Sequence, residues 1–177
     1  MQNQIQHRHL LWTSLIFYLG CILFIGSTLF FGFGVAPSLF QNIPSRDIAG
    51  FVNRTILDKL IIIQATGLTF TLLGLLISLR YFSTFWHQFV HVLFTLTAVL
   101  FIVYAFGINH QMQSLVSQIH SFDYPKQSDL ALIELFRTYH KWYSGLVSAS
   151  IFTALSTFVW QTFNLTQLAT KTVITKA

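Results

Sequence analysis

Four stretches of this 177-residue chain, 9–45, 60–79, 81–122 and 142–170, contain no Asp, Glu, Lys or Arg. All ten basic and five acidic residues lie in the short remainders. The hydrocarbon core of a bilayer needs roughly 20 mostly apolar residues per crossing helix, and each stretch holds one such span. Backbone groups inside lipid must be satisfied internally, so each span is expected to be an α-helix. The expected spans are about 10–34, 56–79, 85–107 and 142–163. They make one all-α transmembrane domain over residues 1–177, an integral membrane four-helix bundle with short amphipathic helices capping one side.

Composition agrees, since 8% charged residues is far below the roughly one quarter of soluble domains. The net charge of +5 comes with no basic cluster, which argues against a nucleic-acid partner; the expected partner is the lipid bilayer. The single cysteine, Cys21, has no internal disulfide partner. Arg8 and "YLGC" (18–21) faintly resemble a cleaved signal. The apolar run there outlasts the about 7–15 residues of a signal core, so a retained anchor is expected. Trp12, Trp86, Trp142 and Trp160 fall near span ends, where amphipathic aromatics prefer the headgroup region.

The connections differ in length. Spans two and three are joined around Arg80, as a hairpin. After Pro44, Ser45 is a candidate N-cap, and Ile48, Phe51, Val52, Thr55 and Ile56 recur at helical spacing. Residues 46–57 therefore read as an amphipathic helix entering span two. In the third connection Met112, Leu115, Val116 and Ile119 form another apolar face. "SFDYP" (121–125) breaks that helix, and Ser128 is expected to cap the next, which leads through Phe136 and His140 into span four. Both long connections lie at one end, which they cap.

The capped end carries six Lys or Arg and the other end four. Three of the six, Arg54, Lys59 and Lys141, sit within helices near span ends, where local partners are expected to hold them. Both termini are accordingly expected in the cytoplasm, and in a bacterium the membrane would be the cytoplasmic (inner) one.

Small residues let membrane helices approach closely. Gly20, Ser27 and Gly34 recur every seven residues, as do Gly67 and Gly74, and His91, Ala98 and Ala105. Span four carries Gly145, Ala149 and Thr153. These stripes are candidate helix contacts within the bundle, or with a homo-oligomer or membrane-complex partner. "GFGVAP" (32–37) reads as a helix exit, with Gly32, Gly34 and Pro37 turning the chain onto the cap; a hinge or ligand-facing loop is the other reading.

"GFGVAPSLF", Ala49–Gly50 nine residues on, and "LFRTYHKWYSGLVS" (135–148) together resemble the transmembrane protein 205-like domain family. The similarity runs from about Leu19 to Val159. It implies a four-span membrane architecture in a family classed as a domain of unknown function, and it brings no established activity. Ser148 stands where the family pattern usually has an asparagine, which puts in doubt any role that needs an amide there.

Two groups of residues are candidates for chemistry. His87 and His91 lie one helical turn apart near the start of span three, as a metal or haem site would require; an interfacial pair bonded to neighbouring helices is the structural alternative. At the capped end His140, Ser144 and Ser148 form an i, i+4, i+8 stripe, Arg54 and Asp58 enter span two one turn apart, and His110 ends span three. That set reads as a polar cluster for a ligand or ion, or as bonds that fix the cap. The two histidine groups cannot share a site, because His91 and His110 are separated by roughly 28 Å of helix.

No phosphate loop, nucleophile elbow or intramembrane carboxylate pair is present, and the sequons at Asn53 and Asn164 lie against the membrane. The expectation is a non-enzymatic membrane protein with no cofactor, in transport or membrane organisation. The alternatives are a haem- or copper-binding redox protein using His87/His91 or His110/His140, and a small subunit of a membrane complex.

Overall fold

The computed structural model describes residues 2–79 and 85–174, with side chains over 11–79 and 88–167. Helix α1 starts as α-helix Gln2–Cys21 and passes through a π-helical turn, Ile22–Gly26, and a short α-turn, Ser27–Leu29. A second π-helical segment, Phe30–Val35, then leads into α-helix Ala36–Asn42. Helix α2 is Arg46–Ser78. Helix α3 joins Phe85–Ile102, a π-helical turn Val103–Ile108, and Asn109–Val116. A 3₁₀ turn, Gln127–Asp129, opens into helix α4, Leu130–Ile174. The described residues hold four segments long and apolar enough to cross a membrane: Leu11–Asn42, Arg46–Ser78, Gln88–Val116 and Gln127–Gln167. The chain is a multi-pass, all-helical membrane protein.

The amphipathic segments expected at the capped end are present as extensions of the spanning helices. Residues 46–57 form the first turns of α2, and Asn109–Val116 forms the last turns of α3. Ser45 caps α2 as expected, its Oγ accepting from the Ile48 N–H at 3.2 Å. The cap at the other connection is corrected: the Asp129 carboxylate accepts the Lys126 N–H at 3.1 Å, and Ser128 only donates to Asp129 at 3.3 Å. The connecting residues around Arg80 lie outside the described residues, and α2 and α3, expected to pair as a hairpin, make few contacts with each other.

The helix exit at Gly32, Gly34 and Pro37 is also corrected, because α1 runs on to Asn42. An α-helical register would set the Pro37 ring against the Phe33 carbonyl and leave that carbonyl without a donor. The turn before the proline is instead π-helical, one of the local adjustments by which membrane helices absorb proline. The Ser38 hydroxyl donates to the Gly34 carbonyl, one turn back, at 2.7 Å. The helix ends one proline later: Pro44 disfavours helical geometry before it, and Ile43 is extended at φ −98°, ψ 115°.

Helix α1 packs chiefly on α2, and α3 on α4, as two antiparallel hairpins with few contacts between them. The α1–α2 seam has no room for side chains. A Cβ on Gly20 would lie 2.3 Å from the Thr71 amide nitrogen, one on Gly67 2.7 Å from that of Phe24, and one on Gly74 2.7 Å from the Phe17 Cβ. Gly34 does not share this role, since a Cβ there would meet only Phe30 of its own helix.

In the α3–α4 seam the Thr97 hydroxyl donates to that of Thr153 at 2.8 Å, and Phe89 meets Trp160 edge-on at 5.2 Å. The inward face of α4 is the stripe Ser150, Thr153, Thr157, Gln161 and Asn164, all buried. Gly145 and Ala149 are exposed, so of the small-residue stripe expected there only Thr153 is kept. Aromatic edges join the hairpins, Tyr18 to Phe158 at 5.6 Å and Phe24 to Phe101 at 6.2 Å.

Candidate functional site

Towards the capped end the two hairpins separate around a cavity of about 1040 Å³. Its floor is a closed hydrogen-bond chain. The Gln64 amide donates to the Thr28 hydroxyl at 2.8 Å and accepts from the Tyr104 hydroxyl at 3.2 Å. Thr28 donates in turn to the Phe24 carbonyl at 2.5 Å. Tyr104 then meets Tyr143 of α4 edge-on at 5.5 Å, so all four helices converge at this level. A buried amide needs such partners, because leaving it unbonded costs about 1–3 kcal/mol.

Above the floor the walls are apolar, with Leu29 and Phe33 from α1, Leu57 and Leu60 from α2, and Val147 and Ile151 from α4. Polar groups return at the mouth, where Arg46, Asp47, Arg54, His120 and His140 line the cavity. Arg54 and Gln64 are ten residues apart on one helix, which puts roughly 15 Å of mostly apolar wall between them.

The mouth is roofed by two carboxylates that each bind the other's backbone segment. Asp123, in the connection between α3 and α4, accepts the Ser45 hydroxyl at 2.6 Å, the Arg46 N–H at 2.8 Å and the Asp47 N–H at 3.4 Å. It thereby caps the N-terminus of α2, where negative charge is favourable. Asp47 reaches back, accepting the Ser121 hydroxyl at 2.6 Å and the Phe122 N–H at 2.8 Å. Bonding to Ser45, then to the Arg46 and Asp47 amides, outweighs burial and holds the Asp123 carboxyl below its ordinary pKa of 3.8. The roof continues into the wall through aromatic contacts. Phe122 meets Phe136 edge-on at 5.3 Å, and Phe136 stacks on the His140 ring at 6.2 Å.

Of the six residues expected to form a polar cluster, Arg54, His140, Ser144 and Ser148 line the cavity. Asp58 and His110 are exposed and take no part in its lining. Asp58 lies one turn beyond Arg54, near the same helical face, yet it stays exposed, and nothing in the structure explains why the lining passes it by. His91 is half-buried, while the His87 side chain lies outside the described residues. No group of three or more His, Cys, Asp or Glu able to hold a metal occurs among the described residues.

Comparison with protein-family models, with curated proteins and with solved structures returns no match. The geometry therefore carries the functional reading. Sequence reasoning took Asn53 only for a sequon and passed over Asp47, Gln64, Asn109 and His120, all on the cavity wall. Two of these left a readable signal: Gln64 is a lone amide in an otherwise apolar run, and Asp47 lies seven residues before Arg54 on the same helical face.

Arg54 is half-buried and makes no hydrogen bond or ion pair among the described residues. Their one ion pair is the exposed Arg137–Glu134 contact at 3.4 Å. The cavity thus combines a cation at its mouth, apolar walls and a satisfied polar floor. Such an arrangement holds a molecule with one polar and one apolar end.

Proposed function

We propose that this protein is a non-enzymatic membrane protein that binds an amphipathic, lipid-like molecule between its two helical hairpins, in transport or membrane organisation. The observation that carries this reading is the cavity of about 1040 Å³, apolar between a polar mouth and a polar floor. Ligand sites commonly occupy about 300–1,000 Å³, mostly apolar with a few placed polar groups, so this volume accommodates a large ligand. Kinship with the transmembrane protein 205-like domain family belongs to the same proposal, as do cytoplasmic termini and, in a bacterium, an inner-membrane address.

The test is the lipid retained by protein purified in mild detergent, read by native mass spectrometry. Gly50 lines the cavity and a Cβ there meets nothing within 4 Å, so Gly50→Trp starts its side chain in open space and places an indole where the ligand would lie. Wild type is expected to carry bound lipid that Gly50→Trp loses. Equal retention by both would refute the reading. Orientation is tested separately, by labelling single cysteines at Gln41 and Thr84 from each side of the membrane; labelling of Gln41→Cys from the cytoplasmic side would reverse the proposed topology.

A further inference from the structure

We infer that the cavity selects amphiphiles whose head is a phosphate or carboxylate anion, and that Arg54 binds that head; this rests on the amphiphile-binding function proposed above. The side chain stands on the cavity wall, half removed from water, with no carboxylate partner among the described residues. A guanidinium in that position loses hydration without compensation, and ionisable groups at membrane depth commonly mark functional sites.

The nearby acidic groups do not neutralise it. Asp58 is exposed and outside the cavity. Asp47, two turns earlier, is bonded through its two oxygens to Ser121 and Phe122. The other titratable groups on the lining, Arg46, His120, His140 and Tyr143, supply no carboxylate. The lining thus sets the two guanidiniums of Arg46 and Arg54 against the single carboxylate of Asp47, and an anionic ligand would balance the excess. The planar guanidinium fork matches two oxygens of a carboxylate or phosphate. Below it, the apolar wall between Arg54 and Gln64 fits a hydrocarbon chain better than a free anion. Hydroxyls of Ser144 and Ser148 on the α4 wall supply further bonds to a glycerol or ester oxygen.

The experiment measures binding to detergent-purified full-length protein by thermal shift and native mass spectrometry. The probes are phosphatidic acid, oleate, diacylglycerol with the same chains as the phosphatidic acid, and inorganic phosphate. Wild type is expected to bind phosphatidic acid about tenfold or more tightly than diacylglycerol, as one charge-assisted pair implies. Arg54→Gln should abolish that preference and Arg54→Lys should keep part of it. Oleate should also lose affinity in Arg54→Gln.

Equal affinity of wild type for phosphatidic acid and diacylglycerol, or a preference that survives in Arg54→Gln, would overturn the assignment while leaving the cavity reading intact. Inorganic phosphate that stabilises as much as phosphatidic acid would identify a free-anion site and overturn the amphiphile. Failure of every lipid to bind wild type, or unchanged binding in Gly50→Trp, would instead sink the parent reading. The preference of wild type decides the matter even if Arg54→Gln does not fold.

Discussion

The same two helices, α1 and α2, meet in opposite ways in the two halves of the bundle. Around Gly20, Gly67 and Gly74 they touch backbone to backbone, with no space for a Cβ. Around Gly32 and Gly50 a Cβ would meet nothing, and both glycines line the cavity. A glycine in a membrane helix thus closes a seam or widens a space, according to what faces it. In the closed half the Cys21 thiol and the Thr71 hydroxyl meet across the seam at a long 3.9 Å. The open half is held by the Gln64 chain at its floor and the Asp47–Asp123 exchange at its mouth.

The largest break in that comparison should come from Gly67→Leu. Its new Cβ falls 2.7 Å from the Phe24 amide and 2.8 Å from the Gly20 carbonyl, so only the backbone can yield. Overpacking of this kind costs about 3 kcal/mol, and thermal unfolding in detergent should show an α1–α2 hairpin that no longer closes. Gln64→Leu comes next, since it removes the acceptor of the Tyr104 hydroxyl and the donor to Thr28, leaving Tyr104 its bond with Ser150. The expected loss is about 2 kcal/mol, read from the same melts, and an unchanged melt would show that the floor does not tie the helices together.

A smaller effect sharpens the account of the roof. The Asp123 pKa is lower in the folded chain than its ordinary value. The carboxylate therefore contributes its stability in full above the unfolded pKa, roughly 3.9, and loses it as pH falls through the lower folded value. Asp123→Asn should flatten stability against pH in that acid window and speed hydrogen exchange across 117–126. A melt profile identical to wild type at every pH would count against the roof. The smallest change is expected from Gly145→Ala, at an exposed position where a Cβ meets nothing. It should be neutral or stabilise by less than about 1 kcal/mol, in contrast to any side chain at Gly67.

The architecture was legible because burial of charge in lipid is so costly: each of the four uncharged stretches overlaps one of the observed membrane-spanning segments. Gly20, Gly67 and Gly74 were legible through their seven-residue spacing. Two features were not. Pro37 read as a stop because proline ends α-helices, while the chain absorbs it in a π-helical segment and stops at Pro44. The inward face of α4 was misjudged because small size pointed to Gly145 and Ala149, whereas hydroxyls and amides from Ser150 to Asn164 face the bundle.

The site itself was half visible. Helical spacing grouped His140, Ser144 and Ser148 on one face. It could not show that Asp47 and Asp123, 76 positions apart, exchange backbone bonds across the mouth. A pairing so distant in sequence leaves no local pattern.

The most direct test of a packed half beside a hollow half is thiol accessibility in a Cys21→Ser background. A cysteine replacing Ser148, on the cavity wall, should react readily with a small membrane-permeant thiol reagent and be protected by added phosphatidic acid. One replacing Thr157, 2% exposed in the closed half, should remain unreacted until the protein unfolds. Equal reactivity at the two positions, or no protection at Ser148→Cys, would contradict a lipid-filled cavity between the hairpins.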